Sequence, residues 1–163
     1  MRSLSVDLEN KRRAGARALG HRSLPRHDIL EGSIDDLNRP LVRIELAGFS
    51  DPLVAFIDTG FNGAVLMDEP QAIKLGFQVL KHRAQVRLAS QREENFLLSR
   101  GKFAWLGESK FITAYVLIET QDERRARTAR KTEEEILIGT ELLSECRLEI
   151  DFPARKVVIA KVG

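Results

Sequence analysis

At 163 residues the chain has the length of one ordinary domain, and its 43% hydrophobic and 31% charged residues are typical of a globular protein. This composition excludes collagen-like and low-complexity proteins, and no apolar run approaches the roughly 18 residues of a membrane-spanning helix. Because Cys146 is the single cysteine, an intramolecular disulfide is excluded, and no Cys/His cluster has the spacing of metal ligands. We therefore expect no metal, no cofactor, no membrane span and a reducing, cytoplasmic location.

The net charge of +2 hides an excess of basic residues near the N-terminus. Residues 1–28 contain seven basic and three acidic residues, a local charge of +4. Because this segment lacks the apolar region of a secretory signal, we predict a basic, flexible N-terminal extension before a single domain at residues 29–163. A basic terminus without a recognisable binding domain is a weak signal, so we expect no nucleic-acid partner.

From residue 29 onward, short apolar alternations separated by turn residues predict an all-β domain. The predicted strands cover residues 40–46, 53–57, 64–67, 84–89, 95–106, 110–119, 135–138, 147–151 and 156–160. Gly101 lies inside one of them and is a candidate β-bulge. A short helix is predicted at residues 68–76, and a turn or second short helix at residues 140–144. The dense charge of residues 121–134 predicts an exposed loop.

Asp58 directly follows an apolar strand, where a carboxylate costs free energy unless its surroundings compensate. Thr59 and Gly60 add a hydroxyl and an unhindered backbone N–H just beyond it. Taken alone, this tripeptide is more typical of an acid that caps a turn than of a catalytic acid. The neighbouring segments are therefore needed to decide between a turn-capping and a catalytic role for Asp58.

Residues 53–67 (LVAFIDTGFNGAVLM) resemble the active-site loop of the retropepsin-like aspartic proteases, in which apolar residues precede Asp-Thr/Ser-Gly and an apolar strand follows. Residues 136–143 (ILIGTELL), with Ile138 and Gly139 at their centre, resemble the second landmark of that family, an apolar-apolar-Gly segment followed by a helix. Residues 148–151 and 157–159 resemble the strands that close the family fold. The resemblance covers residues 29–160 and leaves the basic N-terminal segment unmatched.

The resemblance implies a small closed β-barrel of the retropepsin-like acid protease type, with one or two short helices. Its mechanism requires two aspartates, and a chain of this length with one Asp-Thr-Gly therefore implies a homodimer. Asp58 of each subunit would share a proton with its copy and activate a water molecule against a peptide or protein substrate. Thr59 would reach across the interface, and the Gly60 backbone would keep the two carboxylates coplanar. The implied activity is that of an aspartic endopeptidase, a hydrolase.

The resemblance also marks candidate residues of the substrate cleft. Residues 89–94 fall where the family has a mobile flap, so Ala89, Ser90 and Gln91 are candidate flap residues. Because this tip lacks the glycines frequent in family flaps, a plain surface hairpin is the alternative. Phe61 and Asn62 directly follow the motif and are candidate cleft residues, although Phe61 is equally suited to pack in the core.

Two other functions compete with proteolysis. The first is a catalytically weak or inactive dimer of the same fold that serves as a binding or scaffold module. The second is that of a sugar-kinase-like or actin-like ATPase, in which Asp-Thr-Gly would form a phosphate-contacting turn. The short chain, the lack of alternating strands and helices, and the lack of a glycine-rich phosphate loop all oppose this second alternative.

Overall fold

The computed structural model describes residues 28–46, 49–87, 93–118, 122, 125 and 136–162. Most of the predicted N-terminal extension and most of the predicted loop at 121–134 therefore lie outside the described residues. The described elements are β1 (Ile29–Ile34), β2 (Pro40–Ile44), β3 (Leu53–Ile57), β4 (Val65–Asp68), α1 (Glu69–Lys74), β5 (Gln78–Arg87), β6 (Glu93–Trp105), β7 (Glu108–Leu117), β8 (Ile136–Ile138), α2 (Thr140–Leu143), β9 (Cys146–Asp151) and β10 (Lys156–Lys161).

The strands form one sheet in the order β5-β6-β7-β4-β8-β3-β2-β1-β10-β9. The pairs β3–β8 and β4–β7 are parallel, and the other neighbours are antiparallel. Strand β8 thus lies between β3 and β4, which are the strands before and after Asp58. This insertion places a segment from late in the chain directly beside the Asp58 loop.

The prediction of an all-β fold is confirmed, but the prediction of a closed barrel is wrong. Strands β5 and β9 lie at the two ends of the sheet, and none of the described pairings joins them, as closure would require. The pairing of β5 with β6 is irregular between Val79 and Arg83, and Lys81 and His82 are exposed there. Irregularities and exposed charges hinder the pairing of an edge strand, so the sheet stays open.

One face of the central strands forms the hydrophobic core. Side chains at alternate positions point to this face because successive residues of a strand point to opposite sides. Ala55 and Ile57 of β3, Ile136 and Ile138 of β8, and Val65 of β4 are buried there. Burial of a valine or isoleucine side chain contributes about 1.5–3 kcal/mol relative to exposure. The strands that carry the Asp58 loop are therefore anchored in the hydrophobic core.

Helix α1 confirms the prediction of a helix after β4. The Asp68 carboxylate accepts a hydrogen bond from the Gln71 backbone N–H at 2.8 Å, and the Gln71 side chain accepts one from the Asp68 N–H at 3.3 Å. This reciprocal arrangement satisfies donors that the first helical turn leaves unpaired. Gly76, with a φ of 74°, follows the helix and suits the left-handed conformation there. No helix in the described part of the chain is long and apolar enough to span a membrane.

Gly101 is not a bulge, which corrects the prediction. It pairs regularly with Ile112 in the β6–β7 ladder, and the described register of this ladder continues from Phe96 to Trp105. A Cβ atom at Gly101 would lie 2.7–2.9 Å from ring atoms of Phe77. The glycine therefore makes room for the ring of Phe77, which is buried in the core.

Candidate active site

Asp58 lies at the end of β3, where the chain leaves the buried sheet. Its backbone N–H donates to the Ile138 carbonyl at 3.0 Å, which continues the parallel pairing of β3 with β8 by one residue. Its side chain is half-buried, and Oδ1 accepts the Gly60 N–H at 2.9 Å. The carboxylate is thus fixed in a tight turn next to the strand end.

Thr59 and Gly60 form the exposed tip of this turn. The Phe61 N–H donates to the Asp58 carbonyl at 3.2 Å, which closes the turn. A Cβ atom at Gly60 would lie 3.2 Å from Asp58 Oδ1, closer than ordinary side-chain contacts. Glycine therefore lets the backbone N–H approach the carboxylate, and the exposed Thr59 side chain faces away from the protomer's core.

The structure brings the second landmark, Ile138 and Gly139, against this loop. The Gly139 N–H donates to the Ala64 carbonyl at 3.0 Å. Thr140 donates to the Phe61 carbonyl through both its backbone N–H, at 2.8 Å, and its hydroxyl, at 3.3 Å, across 79 positions of sequence. The Asp58 loop is therefore held by β8 before the turn and by residues 139–140 after it.

Phe61 packs against the sheet beside Asp58 and is half-buried. Its ring meets Tyr115 edge to face with centroids 5.5 Å apart, and Tyr115 meets Phe96 in the same way at 6.1 Å. A Cβ atom at Gly63 would lie 2.5 Å from the Phe61 ring, so only glycine fits under this pair. Asn62 is exposed. Sequence reasoning missed Tyr115 and Phe96. The alternation around each residue predicts a strand but does not indicate that Tyr115 contacts Phe61 or that Phe96 contacts Tyr115.

The predicted hairpin of β5 and β6 is present, because Arg87 pairs with Glu93 on either side of its tip. The candidate flap residues Ala89, Ser90 and Gln91 lie outside the described residues. A cavity of about 640 Å³ lies elsewhere, between β1, the end of β2 and the β6–β7 turn, and Asp58 does not line it. That cavity contributes nothing to the chemistry of the Asp58 loop.

The geometry leaves Asp58 suited to proton transfer. One carboxylate oxygen accepts the Gly60 N–H, while a carboxylate has acceptor capacity for further bonds at both oxygens. A carboxylate held in one orientation by backbone contacts can act as a general base towards a bound water molecule. A reaction that needs a general acid at the same time as this base would require a second proton donor besides Asp58 of the same protomer.

Comparisons of the chain with protein-family models, with curated proteins and with solved structures found no match in any of the three.

Proposed function

We propose that the chain is a homodimeric aspartic endopeptidase in which two copies of Asp58 activate one water molecule. The observation that carries this proposal is the support of the Asp58 loop from two sides. Ile138 holds the backbone of Asp58 itself, while Gly139 and Thr140 hold the carbonyls of Ala64 and Phe61. Catalysis by proton transfer depends on such fixed positions, because small displacements of the reacting groups cost large factors in rate.

Two copies are needed because peptide hydrolysis requires both a base and an acid. One carboxylate can take a proton from water, but the departing amine must also receive a proton. Two carboxyl groups at short distance cannot both ionise without a large electrostatic cost, so the pair holds one proton and supplies both roles. A two-fold axis beside the loop would place Asp58 opposite its own copy. The exposed Thr59 at the loop tip is available for a contact across that axis.

The proposed reaction uses only the chain's own groups. The ionised carboxyl takes a proton from the water molecule while the water oxygen bonds to the peptide carbonyl carbon. The protonated carboxyl of the other subunit donates its proton as the carbon–nitrogen bond breaks, and the amine leaves. The pair then again holds one proton, now on the carboxyl that acted as base, and the two subunits exchange roles in the next cycle. The single Cys146 suits the reducing conditions of the cytoplasm, where we place the protein.

The direct test compares the wild type with Asp58→Asn on a diverse peptide library at several acidic and neutral pH values, with cleavage read by mass spectrometry. We expect the substitution to lower the cleavage rate by at least about a thousandfold, because the amide cannot act as base or acid. Asp51→Asn is the matched control. Asp51 is an exposed acid before the other end of β3, and its carboxylate accepts a hydrogen bond from Ser50.

Equal cleavage by the wild type and Asp58→Asn would show that the peptidase assignment is wrong. A dimeric wild type that cleaves no member of the library would favour the binding or scaffold module instead. Loss of activity in Asp51→Asn as well would show that any lost carboxylate near β3 disturbs the protein, and would remove the special role of Asp58.

A further inference from the structure

Strand β9 forms one end of the sheet and has an open edge. Among the described strands it pairs with β10 alone, in a regular register over all six of its residues. The backbone groups along its other edge can pair with an added strand. Its side chains alternate between half-buried apolar residues and exposed charged residues, the latter being Arg147, Glu149 and Asp151. The edge is thus regular and carries charges of both signs.

The opposite end of the sheet differs in each of these respects. Strand β5 loses its regular pairing between Val79 and Arg83, and the neighbouring Lys81 and His82 are exposed. Positive charges and irregular pairing are features that protect an edge strand from association. Strand β9 keeps a regular register along its whole pairing with β10, and its exposed charges are of both signs instead of positive alone. It is therefore the end of the described sheet that is suited to accept a partner strand.

We infer that two copies of the chain pair through antiparallel β9 strands, with Leu148 directly opposite its own copy. In this register Arg147 faces Glu149 of the second copy, and the two-fold axis produces this contact twice. Opposite charges directly across an antiparallel pair stabilise it, and like charges destabilise it. Within one protomer Arg147 Nη2 already lies 3.1 Å from Glu149 Oε2, so the dimer would contain a cluster of four alternating charges.

Charge selects this register among the alternatives. A two-fold axis in an antiparallel pair must pass through a residue that faces itself, because otherwise core-facing and solvent-facing side chains would be opposed. An axis at Arg147 or at Glu149 would place identical charges opposite each other. An axis at Ile150 would oppose Glu149 to Asp151, and an axis at Cys146 would pair fewer residues of the strand.

This inference rests on the proposed dimeric site and names the interface that would assemble it. Thr140, at the start of α2, contacts the Phe61 carbonyl beside Asp58. Helix α2 has four residues and is roughly 6 Å long, and the Cys146 thiol contacts the Leu142 carbonyl at 3.8 Å. Strand β9 therefore begins a short distance from the Asp58 loop. The inference requires that the same two-fold axis pass Leu148 and the Asp58 loop.

The test measures the dimer dissociation constant of the full chain by sedimentation for the wild type, Arg147→Glu, Glu149→Arg and the double variant that carries both. Each single reversal opposes like charges in both symmetry-related contacts, and we expect it to raise the constant by at least about tenfold. The double reversal restores opposite charges in the same register. We expect it to return the constant to within about threefold of the wild-type value.

Lys102→Glu is the matched control. It reverses an exposed charge on β6, which is not an end strand and lies at the other side of the sheet from β9, and should leave the constant unchanged. Circular dichroism of every variant checks that the fold is retained. Rescue by the double reversal itself excludes a simple loss of folding.

Single reversals that leave the dissociation constant unchanged, or a double reversal that fails to restore it, would overturn the β9 pairing. So would a wild-type chain that stays monomeric. A dimer that responds to these reversals but cleaves no peptide would keep the β9 pairing and count against the proposed peptidase. A peptidase whose dimer ignores the reversals would keep the proposed function and place its interface elsewhere.

Discussion

Gly139 lies where the chain after β8 crosses the carbonyl groups of the Asp58 loop. A Cβ atom at this position would lie 2.2 Å from the Gly63 oxygen and 2.4 Å from the Phe61 oxygen. The Phe61 oxygen is also fixed by two hydrogen bonds from Thr140, so it has little freedom to move away. The need for glycine here follows from the crossing itself.

We therefore expect Gly139→Ala to lower the free energy of unfolding by about 3 kcal/mol, at the upper end of overpacking costs, because the atoms in the way belong to the backbone. Urea unfolding followed by circular dichroism measures this change. The matched control is Gly76→Ala, because a Cβ atom at Gly76 meets nothing within 4 Å and only the positive φ of 74° opposes the alanine. Its cost should be about 1 kcal/mol. A Gly139→Ala protein as stable as the control would contradict the close packing of the loop.

The sequence predicts single residues well where the signal is local. Asp58, Thr59 and Gly60 are neighbours in the chain, and a turn after an apolar strand is readable from residue types alone. Tyr115 is different, because its contact with Phe61 depends on the parallel pairing of β4 with β7. No pattern within β7 indicates which strand lies beside it.

At the scale of elements, two exposed ion pairs connect the start of β7 with the C-terminal strands. Lys161 of β10 binds Glu108, and Lys110 of β7 binds Glu145, which precedes β9, at 2.9 Å. The hydrogen bond from Lys161 holds the pKa of Glu108 below its usual value of 4.5, and the hydrogen bond from Lys110 does the same for the pKa of Glu145. These pairs connect β7 with the part of the chain that contains β9.

A lowered pKa in the folded state means that the unfolded chain binds these protons more readily as the pH falls. The two pairs therefore contribute stability above pH 4.5, and that contribution is lost as the pH falls through the lower folded pKa values. We expect the double variant Lys110→Met/Lys161→Met to lose less stability than the wild type across this window. Urea unfolding at a series of pH values measures how steeply the free energy of unfolding changes with pH in each protein.

Lys102→Met serves as the control for this experiment, since it removes an exposed lysine outside the two pairs. Salt should reduce the difference between wild type and double variant, because all four side chains are at least 30% exposed. An unchanged pH slope in the double variant would contradict the role of these pairs.

The predicted elements agree with the structure where a strand is buried or a helix is capped. Strand β3 matches its predicted range, and α1 has the cap that its sequence indicates. Strand β1 and the first half of β5 were missed. Gly32 weakens the strand signal of β1, yet a Cβ atom there would lie 2.1 Å from the Leu41 oxygen, so packing against β2 requires the glycine. The exposed, polar residues 81–83 of β5 give no alternation because they lie on an edge strand.

At the scale of the whole molecule, alternation shows which side chains face the core but does not give the order of the strands. The insertion of β8 between β3 and β4 joins segments that are far apart in sequence, and no pattern within β8 indicates which strands lie beside it. The expectation of a closed barrel came from the family resemblance and was wrong. The difference arises at the ends of the sheet, where β5 is irregular and β9 is open.

The central claim is that the working unit contains one Asp58 from each of two chains. Mixing wild-type protein with Asp58→Asn protein, after time for subunit exchange, tests it through the peptide cleavage rate per wild-type chain. If two chains share a site, random pairing in an equal mixture should lower this rate to about half, and a large excess of the variant should lower it towards zero. A rate per wild-type chain that stays constant at every mixing ratio would show that each chain carries its own complete site, and would contradict the shared pair.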